Sequence, residues 1–77
     1  MSNLKSYLVS RSTVEKALAE DGMELEDFDQ TIIGLVSDGE EWQVLEDSLD
    51  EEEALAWAKR AEGYGEIVGL FEWPGQA

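Results

Sequence analysis

Between Ala17 and Ala58 the chain has no lysine, arginine or histidine, yet it carries fifteen carboxylates. Six lie in a first cluster: Glu20, Asp21, Glu24, Glu26, Asp27 and Asp29. Nine lie in a second: Asp38, Glu40, Glu41, Glu46, Asp47, Asp50, Glu51, Glu52 and Glu53. The flanks nearly cancel, so the fifteen uncompensated negative charges of this stretch slightly exceed the net charge of −14. It also contains Ile32, Ile33, Leu35, Val36, Trp42, Val44, Leu45, Leu55 and Trp57. Acidic disordered tails lack such residues, because they cannot bury enough apolar surface to offset the entropy of ordering. The stretch therefore predicts folded structure with a strongly negative surface.

Seventy-seven residues make one domain, 1–77, near the lower limit for a self-sufficient core. There is no cysteine, hence no disulfide staple, thiolate nucleophile or thiolate metal site. There is no histidine either, which removes the commonest general base and metal ligand. The N-terminal run MSNLKSYLVSRS is not continuously apolar, and no stretch approaches the roughly 20 apolar residues that span a bilayer. A cytoplasmic location is expected, with no membrane association. The charge disfavours direct binding to DNA, RNA or anionic lipid and favours rapid capture of a basic partner.

Lys5–Ser10 reads as a strand. Ser12 and Glu15 fit a capping box for a helix over Thr13–Asp21, with Gly22 as its stop. Met23–Gln30 is open to loop, strand or helix; a loop pinned by Leu25 and Phe28 fits best. Thr31–Ser37 and Glu40–Asp47 flank Asp38-Gly39, which predicts a two-residue type I′ hairpin. That turn pairs Leu35 with Trp42 and Ile33 with Val44. It puts these four on one face and Ile32, Val36 and Leu45 on the other. Asp50 and Glu53 form a second capping box, opening a helix over Asp50–Glu62 with Ala54, Trp57, Ala58 and Ala61 inward. Glu66–Trp73 is the last strand, stopped by Pro74. The fold expected is α+β: a four-stranded antiparallel sheet with two helices on one face, in the ferredoxin-like order βαββαβ. A helical Met23–Gln30 would instead leave a hairpin–helix–strand unit with a separate N-terminal piece.

The acids lie in runs, as on solvated faces, and no carboxyl is singled out for acid–base work. No phosphate-cradling loop occurs, and the serines have no histidine partner, so a non-enzymatic protein without cofactor is expected. A calcium loop needs glycine at its sixth position and glutamate at its twelfth. Counting from Asp27, those positions hold Ile32 and Asp38. Ferredoxin-like RNA-binding sheets stack bases on aromatics amid basic residues. Trp42 lies instead among Glu40, Glu41, Glu46 and Asp47, which would repel phosphate.

A protein partner remains. Acids on alternate strand residues lie about 6.6–6.8 Å apart, and those on one helix face about 5–6 Å apart. Phosphates along a DNA strand advance about 3.4 Å of axis per charge, with a larger through-space gap. Rows of carboxylates could therefore occupy a basic nucleic-acid cleft. Glu51, Glu52 and Glu53 already serve the helix dipole. The candidate partner-binding residues are thus Glu24, Glu26, Asp27, Asp29, Glu40, Glu41, Glu46 and Asp47, with Trp42 as an aromatic anchor. Trp57 is assigned to the core, whereas Trp42 and Trp73 fit core and surface equally. An uncovered sheet face would also offer a homodimer surface. Solvation alone, adaptation to high salt, or an acidic adaptor for an ordinary basic protein are the competing explanations. Glu outnumbers Asp thirteen to six, which counts against salt adaptation.

In size, acidity, lack of cysteine and α+β plan, the chain resembles phage-encoded inhibitors that imitate DNA: anti-CRISPR proteins, anti-restriction proteins and the uracil-DNA glycosylase inhibitor. The clusters Glu20–Asp29 and Asp38–Glu53 carry that resemblance. It implies a target that binds nucleic acid, a CRISPR effector complex first and restriction or repair enzymes next, in a host cytoplasm. Residues 35–68 are also similar to small hairpin–helix–strand domains of bacterial and phage proteins.

Overall fold

β1 (Thr31–Ser37), β2 (Trp42–Leu49) and β3 (Ile67–Trp73) form one antiparallel sheet in the order β2-β1-β3 in the computed structural model, which describes residues Leu4–Gly75. Helix α1 (Arg11–Glu20) precedes the sheet, and α2 (Glu51–Gly63) connects β2 to β3. Short 3-10 turns occupy Leu4–Ser6 and Leu25–Asp27.

The expected fourth strand is absent. Ser10 is consumed as the N-cap of α1, its Oγ accepting from the Thr13 N–H at 3.2 Å. Leu4–Ser6 curls so that the Tyr7 N–H donates to the Leu4 carbonyl. Only Tyr7–Val9 is left to extend, and it makes a single parallel bridge, Leu8 beside Leu70. Two hydrogen bonds hold it on the outer edge of β3: Val9 N–H to the Leu70 carbonyl at 3.0 Å and Leu70 N–H to the Tyr7 carbonyl at 2.8 Å. The ferredoxin-like order fails with it, and so does the Ser12 cap. Glu15 pairs with Arg11 one turn back instead of closing a capping box.

The two helices do not share a face. Val14, Ala17 and Leu18 of α1 pack with Ile33, Leu35 and Trp73 and with the half-buried Trp42, Val44 and Phe71. Ala54 and Ala58 of α2 pack with Leu4 and Leu70 and with the half-buried Ile32, Val68 and Trp57. Alternate residues of a strand point to opposite faces, so these are opposite sides of the sheet. The reason is in β1, where Ile32, Ile33, Gly34, Leu35 and Val36 form a continuous apolar run that needs cover on both sides. Each face therefore carries a helix, so neither is left uncovered as a homodimer surface would require. Each face also carries an indole over a sheet glycine, Trp57 of α2 on one side and Trp42 of β2 on the other: a Cβ on Gly34 would lie 2.7 Å from Trp57 Cζ3, and one on Gly69 2.8 Å from Trp42 Cζ3.

The hairpin closes differently from a type I′ turn. Such a turn needs positive φ at both central residues, and of Asp38 and Gly39 only Gly39 has it, at 102°. Asp38 Oδ1 instead accepts from the N–H groups of Glu40 and Glu41, each at 2.9 Å, giving a four-residue loop over Asp38–Glu41. Pairing starts at Ser37 with Trp42 and puts Leu35 opposite Val44, two residues from the expected register. A two-residue slip preserves facing, so Ile33, Leu35, Trp42 and Val44 still share one side. Beyond Leu35 the pairing shifts twice, leaving Leu45 and then Ser48 (φ 59°) as extra residues on β2. The first bulge turns Leu45 out to 51% exposure, and Leu49 joins the α2-side core instead. No helix among the described residues is long and apolar enough to cross a membrane.

Candidate partner-binding surface

The acids divide by whether the fold employs them. In α2, Asp50 Oδ1 accepts from the Glu53 N–H at 2.8 Å and Glu53 Oε1 from the Asp50 N–H at 3.1 Å, a reciprocal cap as expected. In the segment between α1 and β1, Leu25 is buried and Phe28 half-buried, so the pinning is as expected, although Leu25–Asp27 forms a 3-10 turn rather than irregular loop. Here Asp27 Oδ2 accepts from the Glu24 N–H at 3.2 Å. Glu26 Oε1 lies 3.7 Å from Arg11 Nη2, and the same guanidinium bonds Glu15 at 3.1 Å. It also sits 5.2 Å from the Trp73 ring centroid. Trp73 is 6% exposed, and its indole N–H donates to the Phe28 carbonyl at 3.0 Å. It is a core residue that fastens the loop to β3. Asp38 holds the hairpin loop; the amides of Glu41 and Glu40 stabilise its carboxylate and lower its pKa from the ordinary value.

A second set has no such role. The carboxylates of Asp29, Glu40, Glu41, Glu46 and Asp47 are exposed and make no hydrogen bond or ion pair with any described residue. Of the nine residues expected at a partner surface, these five have no competing structural role, whereas Trp42 is half-buried and packs against the α1-side core over Gly69. Glu24, Glu26 and Asp27 are also exposed, but they are tied into the loop.

The fold redraws both clusters. Glu40 and Glu41 belong to the hairpin loop rather than to a strand, while Glu46 and Asp47 lie at the far end of β2 among the bulges. At the hairpin end, Glu20, Asp21, Asp38, Glu41 and Glu66 line an open cleft of about 420 Å³ beside the half-buried Trp42. At the other end, Asp27, Asp29, Asp47, Asp50 and Glu53 line one of about 540 Å³. Each cleft takes acids from both sequence clusters. Glu66 had no sequence signal; it joins the hairpin end because Ile67 pairs with Ser37. A smaller recess of about 170 Å³ lies between α1 and the hairpin, lined by Thr13, Lys16, Ala17, Glu20, Glu40, Glu41 and Trp42.

Among the described residues, no three acidic side chains are placed to hold a metal ion. What the arrangement offers chemically is attraction for cations at two ends of a strand, with the half-buried Trp42 at the hairpin end and the exposed Leu45 between the two. No protein-family model matches this chain, and no curated protein or solved structure is significantly similar to it.

Proposed function

We propose that this is a non-enzymatic cytoplasmic protein that blocks a nucleic-acid-binding protein by presenting carboxylates where that target expects phosphates. One observation carries the reading: Asp29, Glu40, Glu41, Glu46 and Asp47 are exposed, unemployed by the fold and spread over both ends of the sheet. Self-repulsion among such groups costs stability, and they return nothing to the fold. A gain on binding would account for them, since a carboxylate buried against a partner's arginine makes a charge-assisted bond of about 1.5–3 kcal/mol. The resemblance to DNA-imitating phage inhibitors supports the same reading, with a CRISPR effector complex as the first target to test.

A second reading, an acidic adaptor for a basic protein, draws support from Leu45, which is half exposed beside the acids. Competition separates the two. Immobilised protein should retain a nucleic-acid-binding protein from bacterial lysate, and duplex DNA should displace it. Retention that survives excess DNA would favour the adaptor.

A further inference from the structure

The sheet has two outer edges, and they are treated differently. The edge of β3 is partly occupied by Tyr7–Val9 through the two hydrogen bonds on Leu70. On β2, among the described residues, every strand pairing is to β1, and no other backbone hydrogen bond reaches Trp42–Leu49. Gln43, Leu45, Glu46, Asp47 and Ser48 are all exposed along it. Exposed edges are commonly protected by lysine or proline, and β2 has neither. Its protection consists of two bulges and its acids.

We propose that the open edge of β2 is a docking site for an extended, lysine- or arginine-bearing segment of a partner protein, which joins the sheet as an added strand. The inference rests on the reading of the acidic surface as a protein-binding one and specifies how the partner is held. Charge complementarity selects the occupant. A second copy would add a second acidic edge to this one, whereas a basic strand meets mostly opposite charge, with Lys16 the one cation lining the recess at the start of β2. In strand addition, main-chain hydrogen bonds supply affinity and recesses for side chains supply specificity. The recess at the start of β2, bounded by Glu20, Glu41 and Trp42, and the cleft at its end, bounded by Asp29, Asp47 and Asp50, are the two side-chain sites. At about 3.3 Å per residue they are roughly 20 Å apart along the strand. The segment that fits has cations about six residues apart and an uncharged middle beside Gln43–Leu45.

The test uses the intact protein and a capped peptide, Lys-Lys-Thr-Val-Thr-Val-Lys-Lys, at 50 mM salt. Binding should slow hydrogen exchange at β2 amides. N-methylation of alternate middle residues, which keeps the charge and removes donors, should weaken binding at least tenfold. The double variant Gln43→Lys with Leu45→Lys changes only exposed positions and should abolish binding while the protein stays folded by circular dichroism. No binding, equal affinity for the N-methylated peptide, or β2 protection that rises with protein concentration in the absence of peptide would each overturn edge docking. DNA-displaceable retention of a lysate protein alongside any of these results would leave the proposed function standing without it.

Discussion

Single atoms decide two features of this fold. A methyl group on Gly69 would stand 2.6 Å from Val9 Cγ1 and 2.8 Å from the Trp42 ring, and one on Gly34 2.7 Å from the Trp57 ring. Neither ring can retreat without uncovering its side of the sheet. Gly69→Ala and Gly34→Ala should each lower stability by about 1–3 kcal/mol, the usual cost of overpacking. Urea denaturation measures this, and unchanged midpoints would mean that the indoles are not seated as described. Asp38 couples titration to local structure at the hairpin. Its folded pKa is lowered by the Glu41 and Glu40 amides, so its contribution is present at neutral pH and lost as pH falls through that lowered value. The stability gap between the native chain and Asp38→Ala should therefore be largest near neutrality and shrink towards pH 2. A gap that does not change over this range would contradict the loop geometry.

Elements announced themselves in the sequence unevenly. Asp50 and Glu53 marked the start of α2 because a capping box is entirely local. The start of α1 was misplaced because Ser10 and Ser12 are both plausible caps, and only the turn at Leu4–Ser6 decides where the chain enters the helix. Ser10→Ala should cost about 0.5–2 kcal/mol, whereas Ser12→Ala should stay within about 0.5 kcal/mol; thermal melts of both variants check the assignment. The two strands of the hairpin and the shared side of Ile33, Leu35, Trp42 and Val44 were legible, whereas Leu45, expected beside Ile32 and Val36, is turned out by a bulge. The turn type was not legible, because Asp38 uses its side chain rather than a positive φ. The placement of the helices was not read correctly: both were expected on one face, whereas the unbroken apolar run of β1 takes a helix on each. The bulges at Leu45 and Ser48 left no local signal, since nothing in either residue type demands them.

Across the whole molecule, chain folding mixes what the sequence separates. Acids as distant in sequence as Glu20 and Glu66 share one cleft, and neighbours such as Glu41 and Glu46 are sent towards opposite ends of β2. With ion pairs among the described residues limited to Arg11–Glu15 and Arg11–Glu26, most of the charge meets only solvent. Screening shortens the reach of such charge to about 10 Å at 0.1 M salt, so affinity for a phosphate-binding target should fall steeply between 50 and 500 mM salt, as DNA's own affinity does. Glu26 is unsuitable for a charge-reversal test because Arg11 holds it, but Glu41, Glu46, Asp29 and Asp47 have no internal partner to lose. The most direct measurement is DNA-displaceable retention of a nucleic-acid-binding protein by Glu41→Lys with Glu46→Lys, and by Asp29→Lys with Asp47→Lys, alongside their melting temperatures. The expected result is loss of retention in both variants with melting temperatures unchanged or higher. Normal retention in both would mean that these carboxylates are solvation alone, and mimicry of nucleic acid would be wrong.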